Sequence, residues 1–113
     1  MSLKKKLRKL EMEKKAEQEI DRLLKKGHGK WMPRKSKVFR HPELFTKVNG
    51  KEIVIQDFST LDPPSIRVAA GILGLETVIN NEYPNSVALL KGLKDMVKNR
   101  DKIIKIARLR NLV

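Results

Sequence analysis

The sequence predicts a mainly α-helical fold: an N-terminal basic helical arm, an extended basic linker, one short β-hairpin and a C-terminal bundle of two to three helices. Three observations predict it. Residues 2–26 are good helix formers behind a serine able to cap them. Asn49-Gly50 separates two short β-prone runs. Beyond Asp62, apolar residues recur around two long stretches of helical character.

In the arm, Leu3, Leu7 and Leu10 follow helical spacing until Lys14 and Glu17 interrupt them. Met12, Ala16, Ile20 and Leu23 or Leu24 form a second stripe on a rotated face, so the helix is expected to lean on a partner surface. Gly27 is the expected stop. Residues 27–42 show neither helical nor strand periodicity, and Pro33 and Pro42 oppose helix, so an extended linker that orders on binding is expected. Around Asn49-Gly50, a two-residue turn sets Lys47 opposite Glu52, Phe45 opposite Val54 and Leu44 opposite Ile55.

Asp62-Pro63-Pro64 reads as a helix start, a capping carboxylate followed by proline, with the helix running from about Pro63 to Asn81. Ile66, Ala69, Ala70, Ile72, Leu73, Leu75, Val78 and Ile79 cover most of its circumference, and Gly71 and Gly74 suggest close backbone approach. A turn follows at Asn80 to Pro84. Asn85 or Ser86 then caps a helix with Val87, Leu90, Leu93 and Val97 on one face. At Asn99-Arg100-Asp101 a kink or break is favoured over an unbroken helix, with Ile103, Ile104, Ala107 and Leu109 apolar beyond it. The domain division expected is 1–42, a nucleic-acid-binding arm and linker, and 43–113, the hairpin plus a helical assembly core.

Charge points to the partner. The chain holds 26 Lys and Arg against 13 Asp and Glu, a net +13. Residues 1–51 carry 17 basic and 6 acidic side chains, residues 52–90 one basic and five acidic, and residues 91–113 eight basic and two acidic. Self-repulsion on this scale is relieved by a polyanion. Lys25, Lys26, Lys30, Arg34, Lys35, Lys37 and Arg40 lie in one window with no acid among them. Lysines release counterions from phosphates, and Arg34 and Arg40 can make bidentate phosphate contacts. Lys91, Lys94, Lys98, Lys102 and Lys105 make a continuous ridge if their helix is unbroken, with Arg108 and Arg110 beyond. The residues expected to touch nucleic acid are Lys4, Lys5, Lys6, Arg8, Lys9, Lys25, Lys26, Lys30, Arg34, Lys35, Lys37, Arg40, Lys98, Lys102, Lys105 and Arg108.

Other chemistries find little footing. The chain has no cysteine, which excludes disulfides and thiolate metal sites. The longest apolar run, Val68 to Leu75, is too short to span a bilayer. The N-terminus is too polar for a secretory signal, so a virion or intracellular nucleoprotein, not a secreted one, is expected. Gly27-His28-Gly29-Lys30 lacks the pattern of a nucleotide-binding loop. His28 and His41 suggest no metal site, and no acid pairing or Ser-His-acid spacing suggests an enzyme. No cofactor is expected. For Trp31, packing is placed ahead of base stacking.

The stretch Pro64 to Lys98 combines a proline-serine start (Pro64, Ser65, Arg67), an apolar glycine-containing segment (Gly71, Gly74), a short turn (Asn80, Pro84) and a second apolar helix (Leu89, Leu90, Gly92, Leu93, Lys94). In that order of parts it resembles the major capsid proteins of rod-shaped and filamentous archaeal viruses, over about a third of the chain. The resemblance implies a dimeric building block, an arm that wraps double-stranded DNA and a helical shell without base-specific contacts. The Asn49-Gly50 hairpin and the lysine-rich arm depart from it.

The function expected is a non-sequence-specific coating or packaging protein for nucleic acid, with double-stranded DNA favoured and RNA possible. Self-association, as a homodimer or with a paralogous subunit, is expected from the apolar circumference of helix 63–81. The alternatives are an RNA-binding or ribosome-associated basic protein, and a small regulator with Pro84 inside a helix-turn-helix. A membrane-surface role for helix 2–26 is disfavoured by its five acids, and no membrane insertion is expected.

Overall fold

The computed structural model describes residues 2–36, 40–71 and 76–113. Among these, three helices accompany a five-stranded antiparallel sheet, so the fold is α/β and not mainly helical. The elements run α1 (Leu3–Lys26), β1 (Met32–Lys35), β2 (Pro42–Val48), β3 (Lys51–Phe58), β4 (Ser65–Gly71), β5 (Glu76–Glu82), α2 (Ser86–Lys98) and α3 (Arg100–Leu109). The sheet is a plain meander in which each strand pairs with its sequence neighbours.

Helix α1 begins as its cap predicts. The Ser2 side-chain oxygen accepts from the Lys5 N–H at 3.2 Å. Ala16, Ile20 and Leu24, the second of the two apolar stripes, are its buried face. Leu3, Leu7 and Leu10 are exposed, and every residue from 2 to 12 lies in solvent. A helix of 24 residues is about 36 Å long, which accounts for most of the molecule's 52 Å long axis against 24 Å in the other two directions.

Gly27 ends α1, its N–H donating to the Leu23 carbonyl at 2.9 Å. Its φ of 73° and ψ of −175° belong to a region open essentially to glycine alone. A Cβ there would also sit 2.5 Å from the Trp31 carbonyl. His28 and Trp31 exchange both backbone hydrogen bonds, at 3.0 and 2.9 Å, closing a tight turn over Gly29-Lys30. Residues 27–35 are thus a turn and an edge strand, where an extended linker was expected. Pro33 is tolerated because β1 lies at the sheet edge. Trp31 is 1% exposed, and its Nε1–H donates to the Val97 carbonyl of α2 at 3.0 Å. It is a packing residue.

The hairpin register agrees with the sequence residue by residue: Lys47 faces Glu52, Phe45 faces Val54 and Leu44 faces Ile55. Asn49 (φ 53°) and Gly50 (φ 77°) supply the two positive-φ positions that a type I′ turn needs.

The expected helix 63–81 does not exist. Among the described residues of this stretch, β4 and β5 pair in antiparallel register with a bulge between Val68 and Ala69. Ile66, Val68 and Ala70 point into the core, while Arg67 and Ala69 point to the other face. Apolar residues on both sides of a central strand imitate an all-round apolar helix. Ile72, Leu73, Gly74 and Leu75 lie outside the described residues. The ground offered for self-association goes with the helix, because Ile66, Val68, Ala69 and Ala70 are fully buried within the chain. The stretch resembling the viral capsid proteins is likewise a β-hairpin followed by one helix. No helix-turn-helix forms at Pro84, since β5 precedes it.

Asn85 caps α2, its Oδ1 accepting from the Ala88 N–H at 2.9 Å. The buried face is Leu89, Leu93, Met96 and Val97, rotated from the expected one: Val87 is exposed and Leu90 half-buried. The ring of Tyr83 occupies the space where a side chain at position 92 would begin, which explains Gly92. The expected break is present: α2 ends at Lys98, Asn99 intervenes, and α3 starts at Arg100. Arg100 Nε donates to Thr46 Oγ1 at 2.8 Å, fixing the start of α3 against β2.

One core unites these parts. Leu44, Val48, Ile53, Ile55, Ile66, Val68 and Ala70 of the sheet meet Ile20 and Leu24 of α1, Trp31, Leu89 and Leu93 of α2, and Ile103, Ile104 and Ala107 of α3. Side chains from both sides of the expected boundary at 42/43 share it. In urea unfolding followed by Trp31 fluorescence, Gly27→Ala is expected to cost about 2–3 kcal/mol, through strain and the clash with Trp31. Gly29→Ala, whose Cβ meets nothing within 4 Å, is expected to cost only about 1–2 kcal/mol.

Candidate nucleic-acid interface

Helices cover one sheet face; a polar network crosses the other. Arg34 on β1 donates from Nε to Glu43 at 2.8 Å on β2, and from Nη1 and Nη2 to Glu52 on β3 at 2.6 and 3.2 Å. Its guanidinium also lies 4.3 Å from the centre of the Phe45 ring. Gln56 Nε2 donates to the other Glu43 oxygen at 3.2 Å, and Gln56 Oε1 accepts from Arg67 Nη1 at 2.7 Å. Arg67 Nε reaches Thr77 Oγ1 on β5 at 2.7 Å. All five strands are thereby laced together.

This network changes the reading of Arg34. Burial works against its charge, but the hydrogen bonds it donates to Glu52 and Glu43, with their negative charges, outweigh that and hold its pKa above the usual value. Each of its three nitrogens donates to a carboxylate inside the sheet, so the structure gives Arg34 a role in holding strands together. Lys25 is also paired, with Asp21 at 2.9 Å, although both remain well exposed.

The other expected cations divide by location. Lys4, Lys5, Lys6, Arg8 and Lys9 lie on the exposed first half of α1. Lys30 is exposed at the tip of the 28–31 turn, and Lys35 and Arg40 are exposed near one end of β1. Lys37 lies outside the described residues. Lys102, Lys105 and Arg108 are exposed on α3. The break at Asn99 interrupts the expected lysine ridge between Lys98 and Lys102. Arg110, the last cation beyond it, donates to the Thr77 carbonyl at 2.6 Å.

What sequence could not show is where the two basic ends meet. A groove of about 490 Å³ runs between α1 and α2, and Arg22, Lys26, His28, Lys94 and Lys98 line it. Leu23 and Val97 give it an apolar floor, and Glu19 is its one acid among the described residues. Glu19 bonds Lys94 at 3.0 Å. Arg22, Lys26 and Lys98 are exposed, and no carboxylate pairs with them among the described residues. The groove exists because Trp31 and Leu24 pin the end of α1 and the turn after it beneath α2. Arg22 escaped the sequence reading; its position four residues before Lys26 put both on one helix face and was the available signal.

A second hollow, of about 230 Å³, lies between α1 and the far end of the β2–β3 hairpin. Glu17, Asp21, His41 and Asp57 line it, so the structure brings a histidine and three acids together that the sequence left apart. Among the described residues, no group is arranged to hold a metal ion. Burial pushes the Asp57 carboxyl above its ordinary pKa, opposed by two hydrogen bonds from Ser59 and by the charge of His41.

No family model, curated protein or solved structure matches this chain. No helix among the described residues is long and apolar enough to cross a membrane.

Removing Arg34 leaves Glu43, only 3% exposed, without its cation. Arg34→Ala is expected to cost about 3 kcal/mol of folding stability in a denaturant titration. A loss of nucleic-acid affinity at unchanged stability would contradict the structural role. For Asp57 the folded pKa lies above the unfolded one, so its proton is held more tightly in the folded state. Its contribution is fully present below the unfolded pKa and is lost as pH rises through the folded pKa. Asp57→Asn is therefore expected to raise the melting temperature at neutral pH and to leave it unchanged at strongly acid pH, as thermal melts across pH would show.

Proposed function

We propose that this protein binds nucleic acid through its phosphate backbone, without base preference, and that the α1–α2 groove is the centre of the contact. The observation that carries the proposal is the convergence in one groove of Arg22 and Lys26 from the N-terminal basic block with Lys94 and Lys98 from the C-terminal one. Cations drawn together from both ends of a chain of net charge +13 repel one another, and a polyphosphate offsets that repulsion. The apolar floor does not read base edges, and the long lysine and arginine stems can follow a backbone of any sequence.

Beyond the acidic residues 11–21, the exposed start of α1 offers a separate positive patch, with Lys5, Arg8 and Lys9 and no acid before Glu11. Lys30, Lys35 and Arg40 are exposed near the C-terminal end of α1, and Lys102, Lys105 and Arg108 are exposed on α3. Double-stranded DNA, whose phosphates are regularly spaced and densely charged, is the preferred partner in this reading. The polar sheet face is not part of it, since Arg34 and Arg67 are engaged within the sheet.

The test is a fluorescence-anisotropy titration against two unrelated duplexes, duplex RNA and single strands at several salt concentrations. Affinity is expected to be equal on both DNA duplexes and to fall with salt, with a slope of about −0.9 per phosphate neutralised. Arg22→Ala, Lys26→Ala and Lys98→Ala are each expected to reduce that slope by about one unit on every sequence. Tight binding to one duplex alone would overturn the reading. Preference for RNA would replace DNA with the RNA-binding alternative.

A further inference from the structure

We infer that the exposed half of α1 is an interface for a second copy of this chain, which it meets in antiparallel fashion along the acidic middle of the partner's α1. Two surfaces of the molecule are complementary and cannot meet within one chain. The first is residues 3–10: a stripe of Leu3, Leu7 and Leu10, exposed at 87%, 59% and 54%, among five cations and no acid. The second starts one helical turn later. Residues 11–21 of the same helix carry five acids and two lysines. Beside them opens the hollow of about 230 Å³, rimmed by Glu17, Asp21 and Asp57, with His41 and the exposed Pro42 at the side.

A single continuous helix cannot fold its own first half back onto its middle. A two-fold axis across α1 does bring them together, and it does so twice, since what one copy offers the other accepts. The leucine stripe then lies along Lys14, Glu17 and Asp21, the positions that continue it at the same helical spacing, and covers the mouth of the hollow. Lys4 and Lys6, three or four positions from stripe leucines, flank the contact and face the partner's acids. Asp21 pairs with the exposed Lys25, a contact that is readily exchanged. The parallel arrangement, leucine stripe on leucine stripe, would press the two sets of cations together. Lys5 and Lys9 stand two positions from Leu7, on the other side of the helix, and stay open to a polyanion.

Sedimentation equilibrium without nucleic acid tests this directly. The full chain is expected at twice its 13.0 kDa mass, and Leu7→Glu at the single mass with an unchanged far-ultraviolet spectrum, since Leu7 is outside the core. Two charge-reversed variants, Lys4→Glu/Lys6→Glu and Glu17→Lys/Asp21→Lys, are each expected to be monomeric. Mixed in equal amounts they are expected to pair, because each interface then joins opposite charges again. A full chain that stays at 13.0 kDa to high concentration would overturn the inference. So would a Leu7→Glu variant that keeps its mass but loses binding to anionic vesicles, which would make the stripe a lipid anchor. Neither result bears on the groove, whose cations these variants leave in place.

Discussion

A sheet with one apolar face, in a chain this short, has to be covered by the helices at its two ends. Leu44, Ile53, Ile55, Ile66 and Val68 present that face, and the chain before and after the sheet supplies the cover. Burying such residues is worth about 1.5–3 kcal/mol each, so the helices have little choice of where to pack. The consequence is electrostatic. Two basic segments, separated by the whole sheet in sequence, are drawn side by side onto one layer. Trp31 fixes the arrangement through its bond to the Val97 carbonyl, joining the turn after α1 to the last turn of α2.

The other face solves a different problem. Among the described residues no helix buries it, and a network of ion pairs and hydrogen bonds runs across all five strands. Arg34 and Arg67 are structural there, with Glu43 almost wholly buried between neighbouring strands. The division of labour is thus sharp. Cations next to carboxylates in the sheet hold the fold, and cations gathered on the helices without carboxylates remain available to an anion.

Much of the local structure was legible because it rests on local chemistry. Ser2, Asn85 and Gly27 mark helix ends by what their side chains, or the lack of one, allow. Asn49-Gly50 sets a register that the alternation of Leu44, Phe45 and Thr46 then has to follow. The segment 63–81 was misread because β4 is buried on both faces: Ile66 and Val68 toward the helices, Ala69 away from them. Asp62-Pro63-Pro64 imitated a helix start. The β-branched residues Ile66, Val68, Thr77, Val78 and Ile79 were the contrary signal. The fate of Arg34 was invisible for another reason, since it depends on β1 pairing with β2, which no alternation in the basic window announces. The groove depends on helix packing and so lay beyond any local pattern, although both of its halves stood out as charge.

Backbone amide shifts in a nuclear magnetic resonance titration with a random-sequence DNA duplex test the convergence of the two basic ends most directly. Residues 22–28 and 94–98 are expected to shift together, along one binding curve, while the Arg34–Glu43–Arg67 face stays silent. Shifts confined to one of the two segments, or centred on the sheet face, would contradict a shared groove.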